Sequence, residues 1–452
     1  MHDALKLALI AACALAPLEA GAQTANNLAA FKGLAPFSAL PNTPAGQAAL
    51  AANFAVTGGI QAGTLRRPSL LPLAEQQQQA LRDVFITGGD LAELADGLGS
   101  TLGAAYVARA HYVDRAHFTN VSPAVADVIA YALMTSGVDS NAAKYFFANA
   151  TTDGKTPVSD QAAAIMAENH GVTDVYGVAY SRPGGGPGAD PYGDSRPFQT
   201  EPNFTAIAGP DYFNAPTDNY VYNRGPAMNL VDSPSFPSGH TTYGYTGALL
   251  LALLTPERYR EMIARGAEYG EDRIVVGAHY ATDVMAGRTL AIYDVAHLLA
   301  NDPAYVGQTL KHAPPIADFP AALKAARADL VAALQAGCGD TIANCARADT
   351  SRFNNAAANE SFVAATQTYG LPVVYPKAAE SAADVAKLAP EAGYLLTVAF
   401  PSLSLAEADQ ILTETEGPGG GYLDDGVSPF GVYSRLNLYA AAGLAAERAA
   451  SK

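Results

Sequence analysis

Residues 273–288 read RIVVGAHYATDVMAGR, and the chain beyond them sets the architectural class. From 278 to 299 there is no proline and one glycine, Gly287. A helix interior tolerates that glycine at a cost of about 1 kcal/mol. The spacing therefore predicts one long helix over 278–299. On it His279 and Asp283 are four residues apart, hence stacked on one face. A carboxylate so placed accepts one ring N–H and leaves the other nitrogen as a lone pair, the arrangement of an activated histidine oriented by a third group. Arg273 precedes the turn and can reach the same pocket. Taken alone, the pair also suits an ordinary surface His/Asp contact.

Helical patterns dominate in both directions from this stretch. They are read over 241–253, 256–270, 320–336, 404–414 and 433–448, and before the motif over 73–85, 90–98, 102–111, 123–135 and 141–147. Ser122 and Pro123 suit a cap and a first helical position. Ser404 with Glu407 has capping-box spacing. Weaker helices are read over 47–54, where Gly58-Gly59 follows, and over 355–368 and 380–387. Residues 24–46 read as an extended polar lead. Alternating strand patterns are nearly absent; YLLTVAF at 394–400 is the one strand candidate and equally suits a buried helix. The expectation is an all-α helical bundle. The stretch 149–235 is different, with SRPGGGPGADPYGDSRP and many Asn, Asp, Pro and Tyr. Apart from a short helix over 159–169, it reads as a folded surface insertion beside a site. Within it His170, Tyr192, Tyr220, Tyr222 and Arg224 are candidates for lining a lid.

Bulk composition narrows the class. The chain has 452 residues, 49 % of them apolar, and a formal net charge of -16. Such a surface repels nucleic acid and anionic membranes at long range, without excluding a small anion from a local cluster of cations. At the N-terminus one lysine, Lys6, precedes the apolar LALIAACALAPL, and Ala20-Gly21-Ala22 is a small-x-small cleavage site. This reads as a signal peptide over 1–22 and points to a periplasmic or secreted protein. Ile10-Ala11-Ala12-Cys13 also loosely fits a lipidation box. After residue 22 no run of 18 apolar residues occurs, so no transmembrane segment is expected. Cys338 and Cys345 are the remaining cysteines; a disulfide between them is expected in an oxidising compartment.

Two further elements carry chemistry. Pro237-Ser238-Gly239-His240 opens the helix predicted over 241–253. Ser238 or its backbone caps that helix, Gly239 brings the chain close to a ligand, and the free N–H groups face an anion. His240 falls in the first turn, where the helix dipole disfavours the imidazolium. Arg196-Pro197 supplies an arginine restrained by the following ring, with Arg182-Pro183 an equal dipeptide nearby. His111, His117, His297 and His312 fit no ligand spacing.

The order Arg-Pro, then PSGH, then R-x5-H-x3-D resembles the type 2 phosphatidic acid phosphatase and vanadium haloperoxidase superfamily. The form RIVVGAHYATDVMAGR is closest to its soluble bacterial acid phosphatase branch. The resemblance covers roughly Arg196 to Arg288. It implies a helical bundle with the site between its central helices. It also implies that His279 attacks phosphorus, that Asp283 orients His279, and that His240 protonates the leaving oxygen and then activates water. Arg196 and Arg273 would grip phosphoryl oxygens, with Ser238 and the Gly239 N–H adding hydrogen bonds. No metal and no cofactor is implied in the phosphatase. Vanadate would act as an inhibitor there, or as the cofactor of a haloperoxidase on the same scaffold.

This sequence departs from the family pattern in two places. The family's first-motif lysine stands seven positions before the arginine, where this chain has Ala189, or Val175 if Arg182 is taken. The phrase Ala143-Lys144-Tyr145-Phe146-Phe147 resembles the start of that motif. Lys144 would then be the missing cation, separated from Arg196 by an insertion over 149–195, with Lys155 a weaker candidate. The family's serine before the third-motif arginine is Asp272, which would either hold Arg273 or weaken anion binding. The expected organisation is a signal peptide over 1–22, a helical phosphatase core over 23–312 and a helical C-terminal extension over 313–452. The expected function is hydrolysis of phosphate monoesters on a small phosphorylated substrate. A vanadate-dependent haloperoxidase and a non-catalytic oxyanion-binding protein are the alternatives.

Overall fold

The computed structural model describes residues 24–85, 89–181, 191–201, 204–219, 230 and 233–452. The cleavage segment and the candidates Arg182, Tyr220, Tyr222 and Arg224 lie outside the described residues. Within them the fold is all-α. Among the described residues the strands are Ala208–Pro210 and Pro216–Asp218, paired antiparallel as a short ribbon. YLLTVAF is not a strand: Tyr394–Thr397 is helical, with Leu395 and Leu396 buried.

Four helices carry the site. From His240 to Leu254 every residue of helix Gly239–Leu254 is buried, so this apolar element forms the centre of the bundle. Helices Tyr259–Val275 and Ala281–Leu299 pack on it. The fourth is a single helix, Pro123–Asn149, of 27 residues, where the sequence pattern suggested two separate pieces. Its N-cap is Ser122, whose side chain accepts from Val125 N–H, and it ends at Ala150 in the left-handed region, φ 56°. Gly137, Asp139 and Ser140 masked its continuity, because the polar side chains are buried against neighbouring helices rather than marking a break.

The lead over 24–46 is helical, not extended. Thr24 caps helix Ala25–Leu34, a 3-10 helix follows over Ala35–Asn42, and helix Pro44–Gln61 runs through Gly58-Gly59 without a break. Tertiary packing overrides the weak local propensity. Phe31 stacks on Phe146 at 4.3 Å between ring centroids, and Phe37 stacks on Phe236 at 3.6 Å. Helix Pro44–Gln61 also presents two polar side chains to the start of helix Ala281–Leu299. Thr57 Oγ1 accepts from Ala281 N–H at 3.1 Å, and Asn53 Oδ1 accepts from Thr282 N–H at 3.0 Å. Both donors are first-turn N–H groups that a helix cannot satisfy internally.

Beyond residue 312, helix Phe319–Cys338 packs against Pro123–Asn149, and the later helices join the same apolar core. Cys338 and Cys345 are disulfide-bonded. Among the described residues no helix is long and apolar enough to cross a membrane.

A buried acid pair links two of the site helices. Asp139, on Pro123–Asn149, accepts from the side-chain amides of Asn26 and Asn27 and faces Asp294 on Ala281–Leu299. Burial pushes Asp139 up to about 7. Burial and the neighbouring Asp139 push Asp294 well above the usual carboxylate range. A carboxyl group with a raised folded-state pKa holds its proton where the unfolded chain has lost it, so this pair destabilises the fold as pH rises from about 4 through neutrality. Asp294→Asn keeps a donor toward Asp139 and removes the titration. The variant is expected to melt about 2–4 °C higher than wild type at pH 8 and at the same temperature as wild type at pH 4. Calorimetry at the two pH values checks this; equal shifts at both would reject the pair as the cause.

Candidate active site

Helix Gly239–Leu254 begins at Ser238, whose side chain accepts from Thr241 N–H at 3.1 Å. The Ser238 backbone N–H donates to the Asp283 carbonyl at 3.1 Å, which ties this helix start to that of Ala281–Leu299. The approach is close enough to need a glycine. A Cβ on Gly287 would sit 2.5 Å from the Ser238 carbonyl oxygen. The glycine that looked like a helix defect is therefore what lets the two site helices meet.

His279 is not on the helix that carries Asp283. Helix Tyr259–Val275 ends, Gly277 turns the chain with φ 74°, and Ala278 N–H and His279 N–H both donate to the Arg273 carbonyl, at 3.0 and 3.2 Å. Tyr280 is the N-cap of Ala281–Leu299, and Asp283 is its third residue. The Asp283 carboxylate reaches back, accepting Tyr280 N–H at 2.9 Å, and its Oδ2 lies 3.3 Å from His279 Nδ1. The pair thus meets across a capped helix start, where Asp283 also suits the positive end of the dipole. The same carboxylate accepts from Ser235 Oγ at 2.5 Å and from the Tyr176 hydroxyl.

The other face of the ring meets an arginine. Arg196 Nη1 lies 3.0 Å from His279 Nε2. The guanidinium is fully buried and anchored by backbone: Nε donates to the Ser233 carbonyl at 2.8 Å, Nη1 to the Ala278 carbonyl at 2.9 Å and Nη2 to the Pro234 carbonyl at 3.0 Å. The His240 ring lies edge-on to His279, with centroids 5.6 Å apart. Lys144 is buried on helix Pro123–Asn149; a Cβ on Gly239 would sit 3.4 Å from its Cε and 3.7 Å from its Nζ. Lys144, Arg196, Ser238, Gly239, His240, His279 and Asp283 therefore share one buried locus. Lys155, by contrast, is exposed, as is His170. Among the described residues no cluster of His, Cys, Asp or Glu is arranged to hold a metal ion.

Arg273 takes a different position. Its guanidinium donates to the Ala80 and Tyr269 carbonyls, at 3.2 and 3.3 Å, and lies 4.7 Å from the centre of the Tyr269 ring. Its charge still acts on His279. The adjoining Asp272 is fully buried, and burial together with Asp83 and Glu268 raises its carboxyl well above the usual range. Burial and these like charges thus disfavour a negative charge beside the clamp.

The local electrostatics suit a lone pair on His279. Burial first, then the charges of Arg196 and Lys144, hold the imidazole well below its ordinary range, so it is neutral. Burial also pushes Asp283 up to about 6, against the opposing hydrogen bonds from Ser235, Tyr176 and the Tyr280 N–H. A neutral imidazole with one nitrogen on a carboxylate and the other facing a buried cation can attack an electrophilic centre whose oxygens that cation holds.

Sequence reasoning passed over Ser233, Ser235 and Tyr176. Ser235 had a signal in its place just before the cap, in Ser235-Phe236-Pro237-Ser238. Tyr176 had none, since it lies 107 residues from its partner.

Similarity to known proteins falls on the stretch of chain that carries this site. Residues 196–302 match the family model of the PAP2 superfamily. A non-specific acid phosphatase of Salmonella typhimurium is 47 % identical over 69 residues, 15 % of this chain and 28 % of that protein. An acid phosphatase of Zymomonas mobilis is 40 % identical over 82 residues, 18 % of this chain and 31 % of that one. A lipid A 1-phosphatase of Rhizobium etli is 41 % identical over 81 residues, 18 % of this chain and 33 % of that protein. The chain thus spans a third or less of the length of these relatives. Arg196, the Ser238–His240 helix start and the His279–Asp283 turn all fall within the matched family segment, and residues 196–302 are a PAP2 superfamily domain.

Proposed function

We propose that this chain is a phosphohydrolase that cleaves phosphate monoesters through a phosphohistidine on His279, in the periplasm or after secretion. The observation that carries the reading is the buried His279 ring, with Nδ1 on Asp283 and Nε2 facing Arg196. His279 Nε2 attacks phosphorus in line as the bond to the leaving oxygen breaks, and His240 gives that oxygen its proton. His240, now neutral, takes a proton from water as the water oxygen attacks phosphorus and the N–P bond breaks, which releases phosphate and restores both histidines. Arg196 and Lys144 balance the charge on the equatorial oxygens, with Arg273 behind them and the Gly239 N–H at the helix start. The chemistry invokes no cofactor, and the acid phosphatase names of the relatives support the substrate class.

The test is hydrolysis of an aryl phosphate by the full chain, with and without orthovanadate. Turnover inhibited by vanadate, with an acid-labile, base-stable phosphoprotein trapped on quenching, is expected. Absence of hydrolysis together with vanadate-dependent halide oxidation would replace this reading with the haloperoxidase.

A further inference from the structure

The irregular stretch between Lys144 and Arg196 does more than separate two cations. Its short helix Val175–Ala179 carries Tyr176 into the core, where the ring is fully buried. The ring is fixed by Phe37 at 5.5 Å and Tyr280 at 4.3 Å between centroids. Its hydroxyl lies 2.7 Å from Thr282 Oγ1 and donates to Asp283 Oδ1. The remaining contacts of Asp283, from Ser235, Tyr280 N–H and His279, all go to Oδ2. Among the described residues Tyr176 is thus the donor to the second oxygen, and the carboxylate is held on both of its oxygens.

The helix itself is pinned from both ends of the stretch. The backbone N–H of its N-cap, Asp174, donates to the Phe147 carbonyl at 2.9 Å, three residues past Lys144. The Asp174 carboxylate accepts from Gly177 N–H at 2.9 Å and from Asp194 N–H at 2.7 Å, two residues before Arg196. One aspartate therefore joins the Lys144 side of the site to the Arg196 side and aims the tyrosine at the same time.

We infer that Tyr176 is a positioning residue for the His279–Asp283 pair, supplied by the segment that interrupts the family pattern. The inference rests on the phosphohydrolase reading above. Burial and the charges of Asp283 and Asp194 keep the phenol protonated across the working range, so it is a permanent donor. The groups facing Asp283 are His279, Arg196, Tyr176 and, from the C-terminal region, the buried phenol of Tyr422. Lys144, His240 and Arg273 face it through His279. Of the two phenols Tyr176 is the one that donates to the carboxylate, the Tyr422 hydroxyl donating to the Thr282 carbonyl, and removing its oxygen keeps the ring packing.

The test is Tyr176→Phe in the full chain. Losing a charge-assisted donor makes Asp283 easier to protonate, and the acid limb of kcat/KM is expected to move up by about one pH unit. At pH 5 the variant should lose about tenfold, and at pH 8 less than threefold. A uniform loss at all pH values would show a packing role only and overturn the inference. A readout independent of turnover keeps the two proposals apart. In histidine-15N-labelled protein, with the His279 signals identified by His279→Ala, the acid transition sensed by His279 should move up by the same amount. An unmoved transition rejects the role of Tyr176 whether or not the chain hydrolyses phosphate esters. A moved transition in a chain without turnover would support Tyr176 and reject the phosphohydrolase.

Discussion

His279→Ala abolishes turnover of an aryl phosphate, lowering kcat by at least about 10⁴-fold. The expectation follows from what remains. Arg196, Lys144 and His240 still bind and polarise a phosphoryl group, but nothing in reach of phosphorus carries a lone pair with a carboxylate behind it. Asp283 keeps Ser235, the Tyr280 N–H and Tyr176 as donors, so the helix start stays capped and the fold survives. Single-turnover kinetics with circular dichroism as the folding control checks this. Retention of more than a tenth of wild-type kcat would remove His279 from the chemistry.

Arg196→Lys is expected to cost about 10²–10³ in kcat/KM, despite conserving the charge. The guanidinium uses its fork twice. Three of its N–H groups bind the Ser233, Pro234 and Ala278 carbonyls, which locks the segment before the His240 helix to the turn bearing His279. Nη1 meanwhile faces His279 Nε2. An ammonium on a flexible stem cannot meet three carbonyls in these directions and still point at the same atom. If the site needed only a positive charge, the lysine variant would keep activity within a few-fold. Steady-state kinetics on the purified variant separates the two outcomes.

The helical class was legible because it rests on periodicity and on the absence of alternation, both local properties. The grouping of Arg196, His240, His279 and Asp283 was legible because three short motifs carry these residues in a recognisable order. Their geometry was less accessible. His279 and Asp283 have helical spacing in sequence, yet the histidine stands outside the helix, because Gly277 and the double acceptance by the Arg273 carbonyl form a tight turn there. The extended reading of residues 24–46 failed for a different reason. Their helices are stabilised by aromatic stacking on residues more than a hundred positions away. Tyr176 and Asn53 were invisible on the same ground, since each acts on a distant helix start and neither has a local pattern that says so.

The two side chains of helix Pro44–Gln61 that satisfy the first N–H groups of Ala281–Leu299 have a consequence for assembly. Asn53 and Thr282 are separated by 229 residues. During synthesis the early helix therefore waits for more than half of the chain before its polar face finds its partners. Loop closure over such a distance is slow compared with the formation of the helices themselves. The bundle can collapse before these bonds form, but the turn that holds His279 acquires its final shape only when the first and central parts of the chain dock. The start of the helix that carries Asp283 thus depends on segments from both the early and the late chain.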